Sequence, residues 1–396
     1  MGTVGIIAEY NPFHTGHAFQ LAEAAKGADG VIVALSGDFV QRGEAAVFSK
    51  FARAEAAVRG GASLVLELPL PWCLASAEGF ARGGVGLLHS TGLVDTLSFG
   101  SESADISRLT AAADALETET FREALRRELK SGASFASARQ SAVSDIAGEN
   151  IAAVLNDPND LLAVEYIKAS RALGADMAFR SVLRKGTEHD GEGSASALRA
   201  RLAKGEDIFS ELPPSAAEVF KREIEAGRGP VTAESLRLPL VSRLRFLPAE
   251  RFSALPDATE GIENRLREAS RWELSPEYIA SAAKSKRYAL SRLRRMVLSA
   301  ALNVEKGMAD GTPPYIRVLA MDEKGKELLR RMEKTAKVPV IVKSARANEL
   351  SEEVRRVFDL TSRAHDLYVL GCPAVSEQYG AADYRATPYI HEGDKR

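Results

Sequence analysis

Hydrophobic and polar positions follow two different periods along the first hundred residues. Four short and almost continuously apolar runs lie at residues 4–10, 30–37, 63–69 and 94–100, and each ends in glycine, proline or polar residues. Such runs are typical of buried strands, whereas the stretches between them have the apolar spacing of helices. Strands that alternate with helices predict βαβ units, so the pattern indicates an α/β fold with a parallel sheet.

The rest of the chain divides into units with different patterns. A further strand is predicted at 176–184, after a long helical insertion at about 103–175. Beyond residue 205 the pattern becomes helical and more charged, and a strand–helix–strand pattern follows from residue 312. We therefore predict an α/β domain at 1–205, a helical region at 206–311, and a small α/β element at 312–396 that ends in a frayed polar tail.

The helical region contains a basic segment at residues 280–300. The spacing predicts that this segment is one helix, with its apolar residues on one face and its cations on the other. The apolar face holds Ala289, Leu290, Leu293, Met296 and Val297, and the basic face holds Lys284, Arg287, Arg292, Arg294 and Arg295. A charged face is commonly just solvated, but residues 281–296 contain no acid. We predict that this basic amphipathic helix binds an RNA backbone.

Composition argues against several kinds of site and several classes of protein. The chain has 396 residues, a formal net charge of −2, and two cysteines, Cys73 and Cys372, without a metal-binding spacing. Neither a zinc site nor a disulfide framework is expected, and any nucleic-acid surface must be local. No apolar run is long enough to span a membrane, and the N-terminus lacks the pattern of a secretory signal. We expect a soluble cytoplasmic protein with no obligate protein partner.

The first predicted strand runs into EYNPFHTGH, residues 9–17, which holds two of the six histidines in the chain. A turn from a strand into a helix exposes the first helix amides beside the positive end of the helix dipole, and this arrangement binds anions. His14 and His17 add donors for phosphate oxygens, while Gly16 leaves room for a ligand and Pro12 fixes the path of the chain. The alternatives are two ordinary helix residues or half of a metal site. No HExxH motif or cysteine cluster supplies further ligands, so we predict no protein-held metal.

The sequence NPFHTGH after a first parallel strand resembles the HxGH motif of the large nucleotidyltransferase and class I synthetase superfamily. A second signature of that superfamily stands at a helix start, and GSASALRARL from Gly193 resembles it, with Ser194, Ser196 and Arg199 in similar order. The resemblance implies a Rossmann-like sheet of the HxGH nucleotidyltransferase type. It also implies that these hydroxyls and the guanidinium hold nucleotide phosphates from the side opposite the histidines.

Further segments resemble the tRNA(Met) cytidine acetate ligase family. They are SGDFVQRGEAA, GASLVLELP, SAEGFARGG, LSFGSE, DPNDLLAVEYIKA and PYIRVLAMDEKGKELL, so the resemblance extends beyond residue 340. It implies that ATP activates acetate and that the acetyl group passes to N4 of the wobble cytidine of elongator tRNA(Met). We hypothesise an acetyl-adenylate intermediate, formed with loss of pyrophosphate and consumed with release of AMP. Mg²⁺ is expected with ATP on general grounds.

The resemblance implies an ATP site and a catalytic centre in the unit 1–205. The predicted catalytic residues are His14, His17, Asp38 and Arg199. In the loop SGDFVQRG, Asp38 is predicted to meet acetate or the cytosine edge, unless this loop is only a capped turn. The predicted ATP contacts are Ile7, Ala8, Glu9, Tyr10, Asn11, Pro12, Phe13, His14, Thr15, Gly16, His17, Ala18, Phe19, Gln20, Gly100, Asn159, Arg184 and Ser196.

Several positions depart from the family pattern or have a simpler interpretation. The family usually has Asn at the positions of Asp38 and Asp160. It usually has Pro at the position of Ala45, Thr at that of Ser196, and an aromatic residue at that of Glu188. These changes affect details of the substrate pocket more than the ATP site. After the same loop, Lys50 and Arg53 are expected either to contact phosphate or to be solvated. The glycine pairs at 60–61 and 83–84 are expected to end helices.

The residues alone do not decide between this function and two others. One is a small-molecule nucleotidyltransferase that leaves the nucleotide in its product, and the other is a non-catalytic, nucleotide-dependent RNA-binding protein. The long basic helical region disfavours the first, because a small substrate does not require it. The presence of both imidazoles and of Arg199 disfavours the second.

Overall fold

A parallel sheet forms the centre of the computed structural model, which describes residues 2–184, 194–259, 261–285 and 288–393. The strands are β1 (Thr3–Ala8), β2 (Gly30–Ser36), β3 (Phe39–Val40), β4 (Glu44–Ala45), β5 (Leu64–Leu68), β6 (Val94–Ser101), β7 (Ala178–Leu183), β8 (Ile316–Met321), β9 (Val340–Ile341) and β10 (Tyr389–Ile390). Their order in the sheet is β10-β8-β5-β2-β1-β6-β7, with β9 paired to β8, while β3 and β4 form a separate hairpin.

Helices connect and cover these strands. They are α1 (Thr15–Ala25), α2 (Lys50–Arg59), α3 (Ala77–Ser90), α4 (Ile106–Glu117), α5 (Glu119–Lys130), α6 (Phe135–Ala147), α7 (Glu149–Ala152), α8 (Pro158–Ala172), α9 (Ala195–Ala203), α10 (Pro214–Glu225), α11 (Arg237–Arg245), α12 (Ala249–Ser253), α13 (Ile262–Trp272), α14 (Pro276–Ala283), α15 (Leu290–Leu302), α16 (Glu323–Thr335), α17 (Glu352–Val369) and α18 (Ala382–Arg385). In the described part of the chain, none of these helices is long and apolar enough to cross a membrane.

The predicted parallel α/β sheet is confirmed. Strands β2, β1, β6 and β7 pair in parallel, as do β2 and β5, so their carboxyl ends share one edge of the sheet. Every residue of β2 is buried: Ile32 and Ala34 pack into one hydrophobic core, and Val31, Val33 and Leu35 into another. A strand with helices on both faces needs such a continuous apolar run, which explains the sequence pattern.

The two glycine pairs have different roles. Gly60 caps the end of α2, as predicted. The second pair lies inside α3, so the predicted helix end is wrong there. A Cβ atom at Gly84 would lie 2.7 Å from Ile7 Cδ1, and one at Gly83 would lie 2.6 Å from Trp72 Cδ1. These glycines therefore allow α3 to approach β1 and the segment after β5 closely.

The basic segment at 280–300 is not a single helix, so that prediction is wrong. Helix α14 ends at Ala283, Lys284 has extended backbone angles, and α15 begins at Leu290. Ala283 and Tyr288 are both buried, whereas positions five residues apart on one helix point about 140° away from each other. A break lets both side chains reach the core. Arg287 lies outside the described residues.

The C-terminal segment also differs from the prediction of a small separate element with a frayed tail. Strand β8 pairs antiparallel with β5, and β10 pairs with β8, so residues far apart in the chain share one sheet. Beyond residue 380, Asp383 is fully buried. Its Oδ2 lies 2.7 Å from Lys50 Nζ and its Oδ1 lies 2.5 Å from Arg317 Nη1, while Glu67 pairs with the same two cations at 2.7 and 2.9 Å.

This buried pairing predicts a large effect for the substitution Asp383→Asn. Asparagine keeps the side-chain size but leaves Lys50 and Arg317 to share Glu67 as their close carboxylate partner, with Asp38 3.9 Å from Lys50. We expect this loss to lower the free energy of unfolding by about 3–5 kcal/mol. Urea denaturation followed by circular dichroism measures the change. The control is Asp145→Asn, which removes a charge from a half-exposed surface pair with Arg127 and should change stability by less than about 1 kcal/mol. Equal stability of both variants would contradict the assignment.

Candidate nucleotide site

Two stacked imidazoles occupy the turn between β1 and α1. His14 caps α1, and its Nδ1 accepts a hydrogen bond from the Gly16 amide at 3.0 Å. The ring of His17 lies 3.8 Å from the ring of His14, centroid to centroid. Because Nδ1 of His14 acts as an acceptor, the proton of the neutral ring lies on Nε2, which is left available as a donor.

Aromatic side chains support the pair from the protein interior. Tyr10 and Phe13 are almost completely buried, and their ring centroids lie 4.9 and 6.0 Å from that of His17. Tyr10 and Phe13 also contact each other edge to face at 4.9 Å. This packing holds the imidazoles in place before any ligand arrives, as an electrostatic site requires.

Burial and nearby cations keep both rings neutral. Burial and, to a smaller extent, the positive charges of Arg184 and Arg199 together lower the pKa of His14 to about 4. Burial also lowers the pKa of His17 well below its usual value, assisted by His14 and Arg184. Two neutral donors beside two guanidinium groups form an environment that favours an anion.

Arg199 closes one flank of this site from helix α9. Its Nη1 donates to the carbonyl of Asn11 at 2.9 Å, and its Nη2 lies 2.7 Å from Glu44 Oε1 and 3.3 Å from Ser196 Oγ. The two predicted signatures are therefore adjacent in space. Ser194 is buried and caps α9 by accepting from the Ala197 amide at 3.2 Å, so its hydroxyl serves the helix start.

Gly100, Arg184 and Gln20 meet on the other flank. Gly100 lies near the end of β6, where a Cβ atom would be 3.5 Å from Arg184 Cγ and 3.9 Å from Gln20 Oε1. The Arg184 side chain is exposed and forms no ion pair with any residue in the described ranges. A guanidinium of this kind has donors free for phosphate oxygens.

Comparisons with known proteins cover nearly the whole chain. Residues 1–383 match the family model of the HIGH nucleotidyl transferases. A solved structure of Thermotoga maritima TmcAL bound with alpha-thio ATP is 34% identical, has a TM-score of 0.92, and covers 99% of this chain and 100% of its own. The tRNA(Met) cytidine acetate ligases of Thermoanaerobacter sp. and Thermotoga petrophila are 38% and 36% identical, over 93% and 96% of this chain and 95% and 98% of theirs.

The chain belongs to the tRNA(Met) cytidine acetate ligase family. Membership concerns the whole length, because the aligned regions cover nearly all of both proteins. The role of each predicted site residue remains a prediction. Fourteen of the predicted ATP contacts, the continuous segment Ile7 to Gln20, lie along the chain from the end of β1 to the second turn of α1.

Asn159 and its neighbour organise the turn that follows β6 in this family member. Asn159 Nδ2 donates to Glu102 Oε1 at 2.5 Å. Asp160 is fully buried and accepts from the hydroxyl of Ser101 and from the amides of Glu102 and Ser103, at 3.0 and 3.1 Å for the amides. Sequence reasoning noted Asp160 only as a departure from the pattern, since no local signal joins positions almost sixty residues apart.

Asp38 is enclosed by the protein, whereas the sequence predicts that it meets acetate or the cytosine edge. It is 4% exposed; its Oδ1 accepts from the Lys50 amide at 2.8 Å and its Oδ2 lies 2.8 Å from His365 Nδ1. Burial alone would raise its pKa, but His365 and Lys50 outweigh this effect and lower it. Both carboxylate oxygens are engaged inside the protein, where Asp38 positions the turn after β2.

Lys50 and Arg53 are buried rather than solvated or free for phosphate. Arg53 is fully buried and donates to the carbonyls of Glu9 and Gly37, each at 2.5 Å, and to that of Phe48 at 2.9 Å. It therefore ties the segments that follow β1 and β2. The Glu9 carboxylate accepts from the Gln41 amide at 2.9 Å, and burial raises its pKa.

The predicted RNA-binding cations do not lie on the one basic face that the sequence predicts. Lys284 is exposed at the end of α14, and Arg294 forms two hydrogen bonds with the Glu277 carboxylate at 2.6 and 2.7 Å. Arg292 donates to the Asp257 carbonyl at 2.6 Å. Arg295 is partly buried and lies 3.4 Å from the Gln41 carbonyl. Helix α15 thus points two arginines inward.

The histidine environment predicts an unusual titration. In the ligand-free protein, His14 should titrate near pH 4, and His17 well below 6.5, because burial and two arginines disfavour the imidazolium. Since the folded pKa of each lies below its unfolded value, the stability contribution is complete above about pH 6.5 and is lost as the pH falls through the folded pKa. NMR of ring-labelled histidine, assigned with the variants His14→Gln and His17→Gln, measures the midpoints. Midpoints near 6.5 for both site histidines would contradict the neutral pair.

Proposed function

We propose that the protein activates acetate with ATP and transfers the acetyl group to N4 of the wobble cytidine of elongator tRNA(Met). The observation that carries this proposal is the neutral imidazole pair between Arg184 and Arg199 at the start of α1. It stands in a chain that matches named tRNA(Met) cytidine acetate ligases along nearly its full length. We place this reaction in the cytoplasm.

In the first step an acetate oxygen attacks the α-phosphorus of ATP. A new oxygen–phosphorus bond forms, the bond to the bridging oxygen breaks, and pyrophosphate leaves, giving acetyl-adenylate. Negative charge grows on the phosphate oxygens, where Nε2 of His14 and the ring of His17 donate hydrogen bonds. Arg184 and Arg199 neutralise the remaining charge from both flanks.

In the second step N4 of cytosine attacks the acetyl carbonyl. The lone pair of this amine is delocalised into the ring, so it needs an acyl group with a good leaving group, and AMP supplies one. The carbon–oxygen bond to AMP breaks, the N4 proton leaves to solvent or phosphate, and N4-acetylcytidine forms. No protein nucleophile is required, and the thiols agree with this scheme, because Cys73 and Cys372 are buried with raised pKa values of about 12 and 11.

Mg²⁺ fits the site as an ion held mainly by phosphate. Among the described residues, no group of three or more His, Cys, Asp or Glu side chains is arranged to hold a metal. Glu9 and Glu44 are the carboxylates next to Arg199, and Glu44 is already paired with it. When bound with ATP, Mg²⁺ would neutralise part of the phosphate charge, and these carboxylates are the protein groups that would face it or its waters.

The tRNA backbone is proposed to contact the basic residues at the end of α14 and on α15. Lys284 is exposed, and the carboxylate that holds Arg294 is itself at the surface, so both cations are accessible to phosphate. Contacts of this kind position an RNA without reading its sequence. Arg287 belongs to the same proposed set but lies outside the described residues.

Acetate-dependent exchange of labelled pyrophosphate into ATP tests the activation step. We expect exchange that requires acetate, measured both with and without elongator tRNA(Met). His17→Ala should slow it by about 10²–10³-fold, because a preorganised donor to the transition state is lost. The control is His89→Ala, a partly exposed histidine that contacts Lys337 on the far side of the sheet and should exchange at the normal rate. Acetate-independent exchange, or a His17→Ala variant as active as the control, would contradict the proposal.

A further inference from the structure

A cavity of about 410 Å³ lies between the segment after β5 and the helical region. Its apolar wall includes Leu74, Ala75, Ala258, Met296 and Val304. This volume is in the range of small-molecule sites, which combine apolar walls with a few polar groups. The cavity is distinct from the predicted ATP contacts, since none of its lining residues belongs to that set.

Two arginines of α15 line this cavity with incomplete pairing. Arg292 and Arg295 are one turn apart, so they share a face of the helix. Nε of each is buried without a hydrogen-bond partner among the described residues. Arg295 has one long hydrogen bond, to the Gln41 carbonyl at 3.4 Å, and burial lowers its pKa. A buried guanidinium with so few partners is an incomplete site for an anion.

The other charges around the cavity largely cancel. Glu78 pairs with Arg82 at 2.9 Å, and Glu305 pairs with Arg251. After these pairs, the lining retains three cations, Arg292, Arg295 and Lys306, and two acids, Asp257 and Asp310. The balance is one positive charge, which matches one phosphodiester group. A cavity lined by both apolar side chains and cations suits a nucleotide, whose base is flat and apolar on its faces and whose phosphate is charged.

The cavity adjoins the reaction site through the hairpin of β3 and β4. Arg295 contacts the Gln41 carbonyl, and the Gln41 amide donates to Glu9 at 2.9 Å. Gly43 lies directly against Arg294 and Arg295, since a Cβ atom there would be 2.7 Å from their backbone and side-chain atoms. The predicted ATP contacts follow β1, β6 and β7, whereas the cavity lies beyond β5. ATP and RNA are thereby able to approach from different flanks.

We propose that this cavity binds one unstacked nucleotide of the tRNA anticodon loop, with its phosphate on Arg292 and Arg295 and its base against the apolar wall. The proposal rests on the proposed function, because that function brings the anticodon loop to this protein. It assigns to the inward-facing arginines of α15 a role that differs from contact with a continuous backbone on the surface.

Two variants test the cavity independently. Arg295→Met removes the charge and keeps much of the length, whereas Ala258→Leu fills the space and leaves both arginines in place. We expect each to raise the Kd for unmodified elongator tRNA(Met) about tenfold. Only Arg295→Met should also reduce the salt dependence of log Kd, by about one phosphate contact. The control is Arg271→Met on α13, whose exposed side chain pairs with Glu268 away from the cavity and which should bind tRNA normally.

Chemical probing of the bound tRNA by 2′-hydroxyl acylation supplies the second measurement. The wild-type protein should protect a nucleotide of the anticodon loop, and both variants should restore its reactivity while their thermal unfolding and ATP affinity stay normal. Normal Kd and normal protection in both variants, with acetylation by the wild type intact, would overturn the cavity alone. Binding by the wild type without protection of any loop nucleotide would also overturn it. Failure of the wild type to bind or acetylate tRNA would overturn the proposed function as well.

Discussion

The candidate nucleotide site depends on buried ion pairs beneath the carboxyl ends of the central strands. Three cations and three carboxylates are at most 4% exposed there: Lys50, Arg53, Arg317, Asp38, Glu67 and Asp383. Removing charges from water is expensive, and the cost is recovered only where each charge has close partners of opposite sign or, as for Arg53, several hydrogen-bond acceptors. The segments that bring these partners together, from β2 to the end of the chain, must therefore assemble as one unit.

These buried charges fix the backbone segments that carry the nucleotide site. Arg53 joins the carbonyls that follow β1 and β2, and Asp38 holds the start of α2 through the Lys50 amide. Above them, the imidazoles rest on Tyr10 and Phe13, so their donors face the crevice in a fixed arrangement. A site for a phosphate transition state gains from this rigidity, because no reorganisation is needed when charge develops.

Local patterns in the sequence predict some of these features and miss others for a physical reason. The strands and the HTGH turn are visible because apolar runs and a helix start are local signals. The partners of Lys50 cannot be predicted from local sequence, since Asp383 lies 333 positions away. The sequence alone does not distinguish a buried lysine from a solvated one. The same limit explains Asp38, which was predicted to be catalytic but is enclosed by His365. It also explains α15, because the sequence pattern places its arginines on one exposed face and carries no local signal of the break after Ala283.

This site is proposed to make an activated acetyl group for tRNA. The most direct measurement incubates the purified protein with ATP, Mg²⁺, labelled acetate and unmodified elongator tRNA(Met), followed by digestion of the RNA and mass spectrometry of its nucleosides. The account predicts label in N4-acetylcytidine, an equivalent amount of AMP, and no requirement for acetyl-CoA. Label that stays out of the RNA, although the protein binds ATP and the tRNA, would contradict it.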